Sequence, residues 1–191
     1  MRLIDDKICL VNVNVDYLRD LHQVSDEIRY SDGYQNKPFV GILIQEDDIK
    51  YVIPLSSAKR KHVSWKNSSQ DYFLVYEFAD ESKMSKKDIY FSLNNSESPK
   101  KVKHILAVLD LKKMIPVSED LYSEVNINAA DSDTEEIRKY KKLLEKELQF
   151  CIKIKDEIVN KATKIYIKQK EKGNVRFCVD FTAVEEFFKK K

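Results

Sequence analysis

Only three glycines and four prolines occur in 191 residues. That scarcity leaves no room for a flexible linker, and no internal repeat is present, so a single domain over residues 1–191 is expected. Cysteine is equally sparse. Cys9, Cys151 and Cys178 stand far apart, with no CxxC and no histidine at ligand spacing. A disulfide framework or a metal site is therefore not expected, and the three read as small buried hydrophobes in reducing surroundings. No apolar run approaches the ~20 residues needed to span a bilayer. Met1-Arg-Leu-Ile runs straight into Asp5-Asp6-Lys7, without the apolar core of a secretory signal. A cytoplasmic protein with no membrane partner is the expectation. Net charge is almost missing too, at +2.

What is present is a foldable but heavily charged chain. Hydrophobic residues make up 42%, enough to exclude wholesale disorder, and charged residues 35%, which implies a strongly solvated surface. The charge is unevenly spread. Residues 116–136 hold seven acids and no base, whereas 137–191 hold sixteen bases against eight acids. A local excess of one sign attracts a polyanion even when the total cancels.

Hydrophobic periodicity outlines the elements. Residues 7–13 read as a strand, and Asp16–Ile28 as a short helix with Tyr17, Leu18 and Leu21 on one side. Ser31-Asp32-Gly33 marks a turn inside a polar loop. Phe39–Ile44 and Tyr51–Leu55 form an apolar hairpin. Tyr72–Phe78, Asp88–Leu93 and His104–Leu111 add strands, with Met114-Ile115-Pro116 closing the sheet; the aromatics of 72–78 read as core. Asp131 to Glu136 carries helix-start chemistry. Beyond it, Ile137, Tyr140, Leu144, Leu148, Cys151, Ile154, Ile158, Ala162 and Ile165 share one apolar stripe on a long helix that Gly173-Asn174 stops. Phe181–Phe188 reads as a terminal helix with Val184, Phe187 and Phe188 inward. The fold class is α+β: a compact, curved antiparallel sheet packed with helices, including one long helix in the C-terminal half.

The chemistry concentrates where the hairpin ends. Tyr51-Val-Ile-Pro-Leu runs into Ser56, Ser57, Ala58, Lys59, Arg60, Lys61 and His62, a stretch with no carboxylate. Hydroxyls and cations at a strand end suit a phosphodiester. Cutting RNA needs in-line attack by the 2′-hydroxyl, stabilisation of charge on the non-bridging oxygens, and a proton for the leaving 5′-oxygen. Ser57 is suited to donate a hydrogen bond to a phosphoryl oxygen, and Lys59 to hold the developing charge. A lysine acting as acid or base would first need its reference pKa of about 10.4 lowered, by burial or by neighbouring cations.

Competing readings stand beside this one. The Ser-x-x-Lys spacing also belongs to penicillin-recognising enzymes, but their companion motifs are missing. The carboxylates of 116–136 lack the metal-loop pattern and read as a solvated loop. His22 and His104 read as structural, and the cluster Lys100-Lys101-x-Lys103 as a solvated loop. Taken alone, these residues give a polyanion-binding hairpin with the reaction left open. It fits a ribonuclease, a non-catalytic module for structured RNA, or a cofactor-free hydrolase using Ser56 or Ser57.

At these residues the chain resembles the ToxN/AbiQ family, the endoribonuclease toxins of type III toxin–antitoxin systems. Val15-Asp-Tyr17-Leu18 is similar to the family's Tyr-Leu helix, and Lys37-Pro-Phe39-Val40-Gly41 to its Lys-x-Phe-Ile-Gly stretch. Tyr51-Val-Ile-Pro54-Leu55-Ser56-Ser57-Ala-Lys59 matches the Tyr-x-x-Pro-Leu-(Thr/Ser)-Ser-x-Lys core. Met114 to Val117, Tyr140 to Phe150 and Val179 to Glu185 follow in the family's order.

The resemblance implies a compact Kid/MazF-like fold and metal-independent cleavage of RNA, often at adenine-rich sequence, without a cofactor. The products would be 2′,3′-cyclic phosphate and 5′-hydroxyl ends. The implied partner is an antitoxin RNA of pseudoknot repeats, which the toxin processes and with which it closes into a cyclic assembly; the implied role is growth arrest and abortive infection. By the same resemblance Ser57 and Lys59 are the central catalytic pair, with Ser56, Lys37 and the loop tyrosine Tyr34 beside them. The family commonly has a tyrosine where this chain has Asn14, so either Tyr17 supplies that phenol or the contact differs. Arg60, Lys61 and His62 are expected as groove contacts to RNA. Trp65 is equally suited to stacking on an unpaired base and to packing.

Overall fold

The computed structural model describes every residue except 31–39, 94–99 and 174. Among the described residues eight strands form one antiparallel sheet in the order β4-β6-β3-β2-β1-β8, with β5 added to β6 and β7 added to β3. The strands are β1 (Leu10–Val13), β2 (Val40–Glu46), β3 (Ile49–Ser57), β4 (Tyr72–Asp80), β5 (Tyr90–Ser92), β6 (Lys101–Asp110), β7 (Ile115–Val117) and β8 (Tyr122–Glu124). Four α-helices accompany them: α1 (Val15–Val24), α2 (Glu135–Lys153), α3 (Lys155–Lys172) and α4 (Phe181–Lys189). The architecture is the α+β arrangement expected.

The central hairpin is tight. β2 and β3 pair from Gly41↔Pro54 to Glu46↔Ile49, and Asp47 turns the corner at a φ of 49°. Gly41 is needed for close approach, because a Cβ there would lie 2.4 Å from the Ile53 carbonyl oxygen. β3 then divides its other edge between two partners. Lys50–Val52 pair with β7, and Leu55–Ser57 with β6. β6 divides likewise, taking β5 at 102–104 and β3 at 107–109, while β4 runs along its whole length with a bulge at Val75/Tyr76.

The main core lies under the hairpin. Tyr51, Val52 and Ile53 are fully buried among Leu18, Leu21, Ile158, Ala162 and Phe181. Tyr51 donates a hydrogen bond to Glu185, which also accepts from Tyr166 at 2.9 Å and from Lys170 at 2.7 Å. A smaller cluster of Leu74, Ile105 and Val108 is covered by Trp65 and Tyr72.

Several expectations change. The stretch read as one long helix is two, broken at Ile154 (φ −116°, ψ 22°), with neither proline nor glycine at the joint. The apolar stripe runs on through the break, since Leu144, Cys151, Ile158, Ala162 and Ile165 are all buried, but Ile137 and Tyr140 are exposed. Thr134 caps α2 by accepting from the Ile137 N–H, and Gly173 ends α3 at a φ of 63°. The sheet does not close at Pro116: β8, inside the acidic stretch, pairs with β1. Three residues without an apolar alternation left no signal for it. α1 ends at Val24 rather than Ile28. Phe78 is 63% exposed and is not core. Among the described residues no helix is long and apolar enough to cross a membrane.

Candidate active site

β3 is buried through Pro54 and exposed at Ser56 and Ser57. Among the described residues its pairing with β2 runs to Pro54, and Leu55–Ser57 pair with β6. The two hydroxyls therefore leave the sheet at a rim. The chain then bends through Ala58 and Lys59 into a single 3-10 turn, Arg60–Ser64.

That turn fixes Lys59 from both sides. The Lys59 carbonyl accepts from the His62 N–H at 2.8 Å, and the Lys59 N–H donates to Nδ1 of the His62 ring at 2.9 Å. His62 is 4% exposed, so the expectation of a surface contact to RNA is corrected. Its ring lies 4.5 Å from that of Trp65, which in turn sits 4.3 Å from Tyr72. Burial, then the charges of Lys61 and Lys59, hold the His62 pKa below the usual histidine range. The neutral ring keeps Nδ1 free to accept, which a protonated ring could not do.

A cavity of about 280 Å³ opens beside this turn. Ser56, Ser57, Lys59, Lys61, His62 and Trp65 line it together. The tertiary structure adds residues far away in sequence: Arg29 and Glu27 after α1, Asp110 at the end of β6 and Lys113 beyond it. The sequence run lacks carboxylates, but the folded wall does not. Glu27 is spent on an ion pair with Lys113. Asp110 accepts from the Lys112 N–H at 3.2 Å, and burial pushes its carboxyl pKa upward against the pull of Lys113 and Lys112. Among the described residues Lys59 and Lys61 have no carboxylate partner, and Lys61 Nζ lies 5.5 Å from the Trp65 ring centre. Arg60 is exposed but does not line the cavity.

Tyr17 does not belong to this site. It is 1% exposed, donates to the Pro116 carbonyl at 2.7 Å and is not among the residues lining this cavity. Burial, with Asp20 adding to it, pushes its phenol pKa up. It fastens α1 to β7, while Asn14 caps the same helix by accepting from the Asp16 and Tyr17 N–H groups. Lys37 and Tyr34 lie outside the described residues, as does the turn at 31–33.

Two further expectations shift. Several bases of the C-terminal half are already tied: Lys139 to Glu135, Lys141 to Asp133, Lys146 to Glu77 and Lys155 to Asp6. The helical lysines are thus weaker candidates for phosphate than the hairpin exit. Lys103 is no solvated loop residue, since it sits in β6 with Nζ 3.5 Å over the Tyr76 ring. His22 and His104 do make internal contacts, to the Ile28 carbonyl at 2.7 Å and to Glu77 at 3.1 Å.

Comparison with known proteins gives one consistent result. The family model for toxin ToxN of type III toxin–antitoxin systems matches residues 9–189. Endoribonuclease ToxN of Pectobacterium atrosepticum is 26% identical over 169 residues, covering 85% of this chain and 84% of that protein. The structure of AbiQ, a lactococcal anti-phage endoribonuclease of the type III systems, superposes with a TM-score of 0.68 at 22% identity. It covers 97% of this chain and 99% of AbiQ. A structure reporting selective toxin inhibition by a non-coding RNA pseudoknot gives 0.67 at 22% identity, over 97% of this chain and 98% of that one.

Proposed function

The chain belongs to the ToxN toxin family of type III toxin–antitoxin systems, and on that premise we propose that it is an endoribonuclease cutting at the Ser57–Lys59 rim. The observation that carries the reading is the rim itself. An exposed hydroxyl at the end of β3 stands two residues from a lysine whose backbone is pinned by His62 and whose charge is unpaired among the described residues.

In the reaction, the 2′-oxygen forms a bond to phosphorus while the bond to the 5′-oxygen breaks. One proton leaves the 2′-hydroxyl and one arrives on the 5′-oxygen, so no water is consumed and the products are a 2′,3′-cyclic phosphate and a 5′-hydroxyl. Ser57 donates to a non-bridging oxygen, and Lys59 holds the charge that grows there. Ser56 and Lys61 supply further donors, and Arg60 meets the flanking phosphates, giving salt-sensitive binding. Lys37 and Tyr34 complete the site on the strength of the family motif. Trp65, packed between His62 and Tyr72, works as a buttress for the turn rather than as a stacking platform.

Through the family, the antitoxin is a repeated pseudoknot RNA that occupies the same groove, is processed there, and closes with the toxin into a ring. Released toxin then acts on cellular or phage RNA in the cytoplasm.

Incubating the protein with RNA in EDTA and mapping the new ends tests the reading. Cyclic phosphate and 5′-hydroxyl ends, lost in Ser57→Ala and Lys59→Ala, are expected. RNA that is bound but intact would mark a non-catalytic RNA-binding module instead.

A further inference from the structure

Ser56 and Ser57 border two cavities, not one. The second, of about 550 Å³, lies on the α2 side, where β6 passes from β5 to β3. Its walls are apolar at Ile89, Ile105, Leu143 and Leu144. A cavity of this size, apolar with a few converging polar groups, has the character of a ligand site.

Glu147 is one of those polar groups. It occupies the inward face of α2 between Leu144 and Cys151 and is only 5% exposed. No hydrogen bond or ion pair reaches it from any described residue. The nearest lysine in sequence, Lys146, is committed to Glu77 at 2.8 Å. Burial pushes the Glu147 carboxyl up to about 7. The charged groups around the cavity are Lys87 and Asp88 ahead of β5 and His104 of β6. His104 is held by Glu77 at 3.1 Å and lies 3.9 Å from Asp88. On α2 itself Tyr140 and Cys151 are the other titratable neighbours, both raised by burial and then by Glu147. Glu147 is buried as a residue but its oxygens are not sealed off, so they keep surface that a group entering the cavity can meet.

We propose that this second cavity is a nucleobase subsite, in which Glu147 reads the edge of the base flanking the phosphodiester held at Ser57–Lys59. The inference rests on the ribonuclease reading above. Leu143, Ile89 and Tyr140 offer faces for a base to lie against. A protonated carboxyl presents a donor and an acceptor side by side, as an asparagine or glutamine amide does, and complements adenine. The ionised carboxylate only accepts, and on an unpaired base complements the adjacent N1–H and N2–H donors of guanine. The proton on Glu147 thus selects between them.

The test uses the full-length protein and oligonucleotides carrying one scissile ribonucleotide, with the flanking base varied. The kcat/KM ratio for adenine over guanine should fall about 10-fold or more between pH 6 and pH 8.5, on the scale of one bidentate base contact. Glu147→Gln should keep the adenine preference and make it independent of pH, which separates the Glu147 proton from that of His104. Leu143→Trp, which fills the cavity from a half-buried position, should reduce the preference without the Gln variant being needed. A loss of rate that is uniform over all bases would make Glu147 a proton donor and overturn the inference, as would an unchanged ratio in every variant. Should wild-type protein cut nothing, binding of the 2′-deoxy oligonucleotides decides. A base preference that responds to Glu147→Gln and Leu143→Trp upholds the subsite without the nuclease, and binding without preference, or none, rejects it.

Discussion

β3 has two halves that obey different rules. Tyr51, Val52 and Ile53 have no exposed surface and are sealed by β2, β7 and the Glu185 network. Three and four residues beyond Ile53, Ser56 and Ser57 are exposed and, among the described residues, pair with β6. The first half carries stability and the second carries chemistry. The core half is anchored by packing on both faces, so the rim can spend its polar groups on a ligand.

The largest expected effect is at the rim. Ser57→Ala or Lys59→Ala should lower cleavage by ~10²–10³ or more, as loss of one transition-state donor does, with the urea midpoint unchanged. A shifted midpoint would mean that the rim also carries stability, and the contrast fails. Next comes the core half. Gly41→Ala drives a Cβ into the Ile53 carbonyl, and overpacking of this kind costs ~3 kcal/mol or more in denaturant unfolding.

Glu185→Leu sharpens the same half, because it strands Lys170 and two phenols. The cost should be ~3 kcal/mol. Burial favours the neutral Glu185 carboxyl, but the hydrogen bonds from Lys170, Tyr51 and Tyr166 win and lower its pKa. Its contribution is therefore present above the unfolded value of about 4.3 and is lost as pH falls through the lower folded value. Acid unfolding monitored by circular dichroism should begin at higher pH in the variant.

Glu147 has the opposite sign. Its folded pKa of about 7 exceeds the unfolded one, so stability falls as pH rises between them. Glu147→Gln should accordingly be more stable than wild type at pH 8, by ~2 kcal/mol, and equal to it near pH 4.

The smallest effect should be at His62. Removing the Lys59 N–H acceptor by His62→Ala should cost ~10-fold in kcat, with KM little changed. In the wild type the folded pKa is lowered, so the contact is present above the unfolded value of about 6.5 and is lost as pH falls through the lower folded one. A kcat profile that drops on the acid side in wild type and flattens in His62→Gln would identify it as the residue positioning Lys59.

Sequence alone determined the elements whose signal is local. Apolar runs rich in β-branched residues gave the β2–β3 hairpin, the Thr134 cap and Gly173 bounded the helical region, and Ser56 to His62 announced a polar exit from an apolar strand. Glu147 was legible in principle, as a charge in phase with Leu144 and Cys151 on the apolar face of α2. Contacts across the chain were decided only by the tertiary structure. Arg29 and Lys113 join the first cavity, Tyr17 turns into the core, His62 turns inward to hold Lys59, and β8 pairs with β1. The physical reason is that periodicity encodes which face of an element is apolar, whereas a partner's identity depends on which distant segment arrives to meet that face.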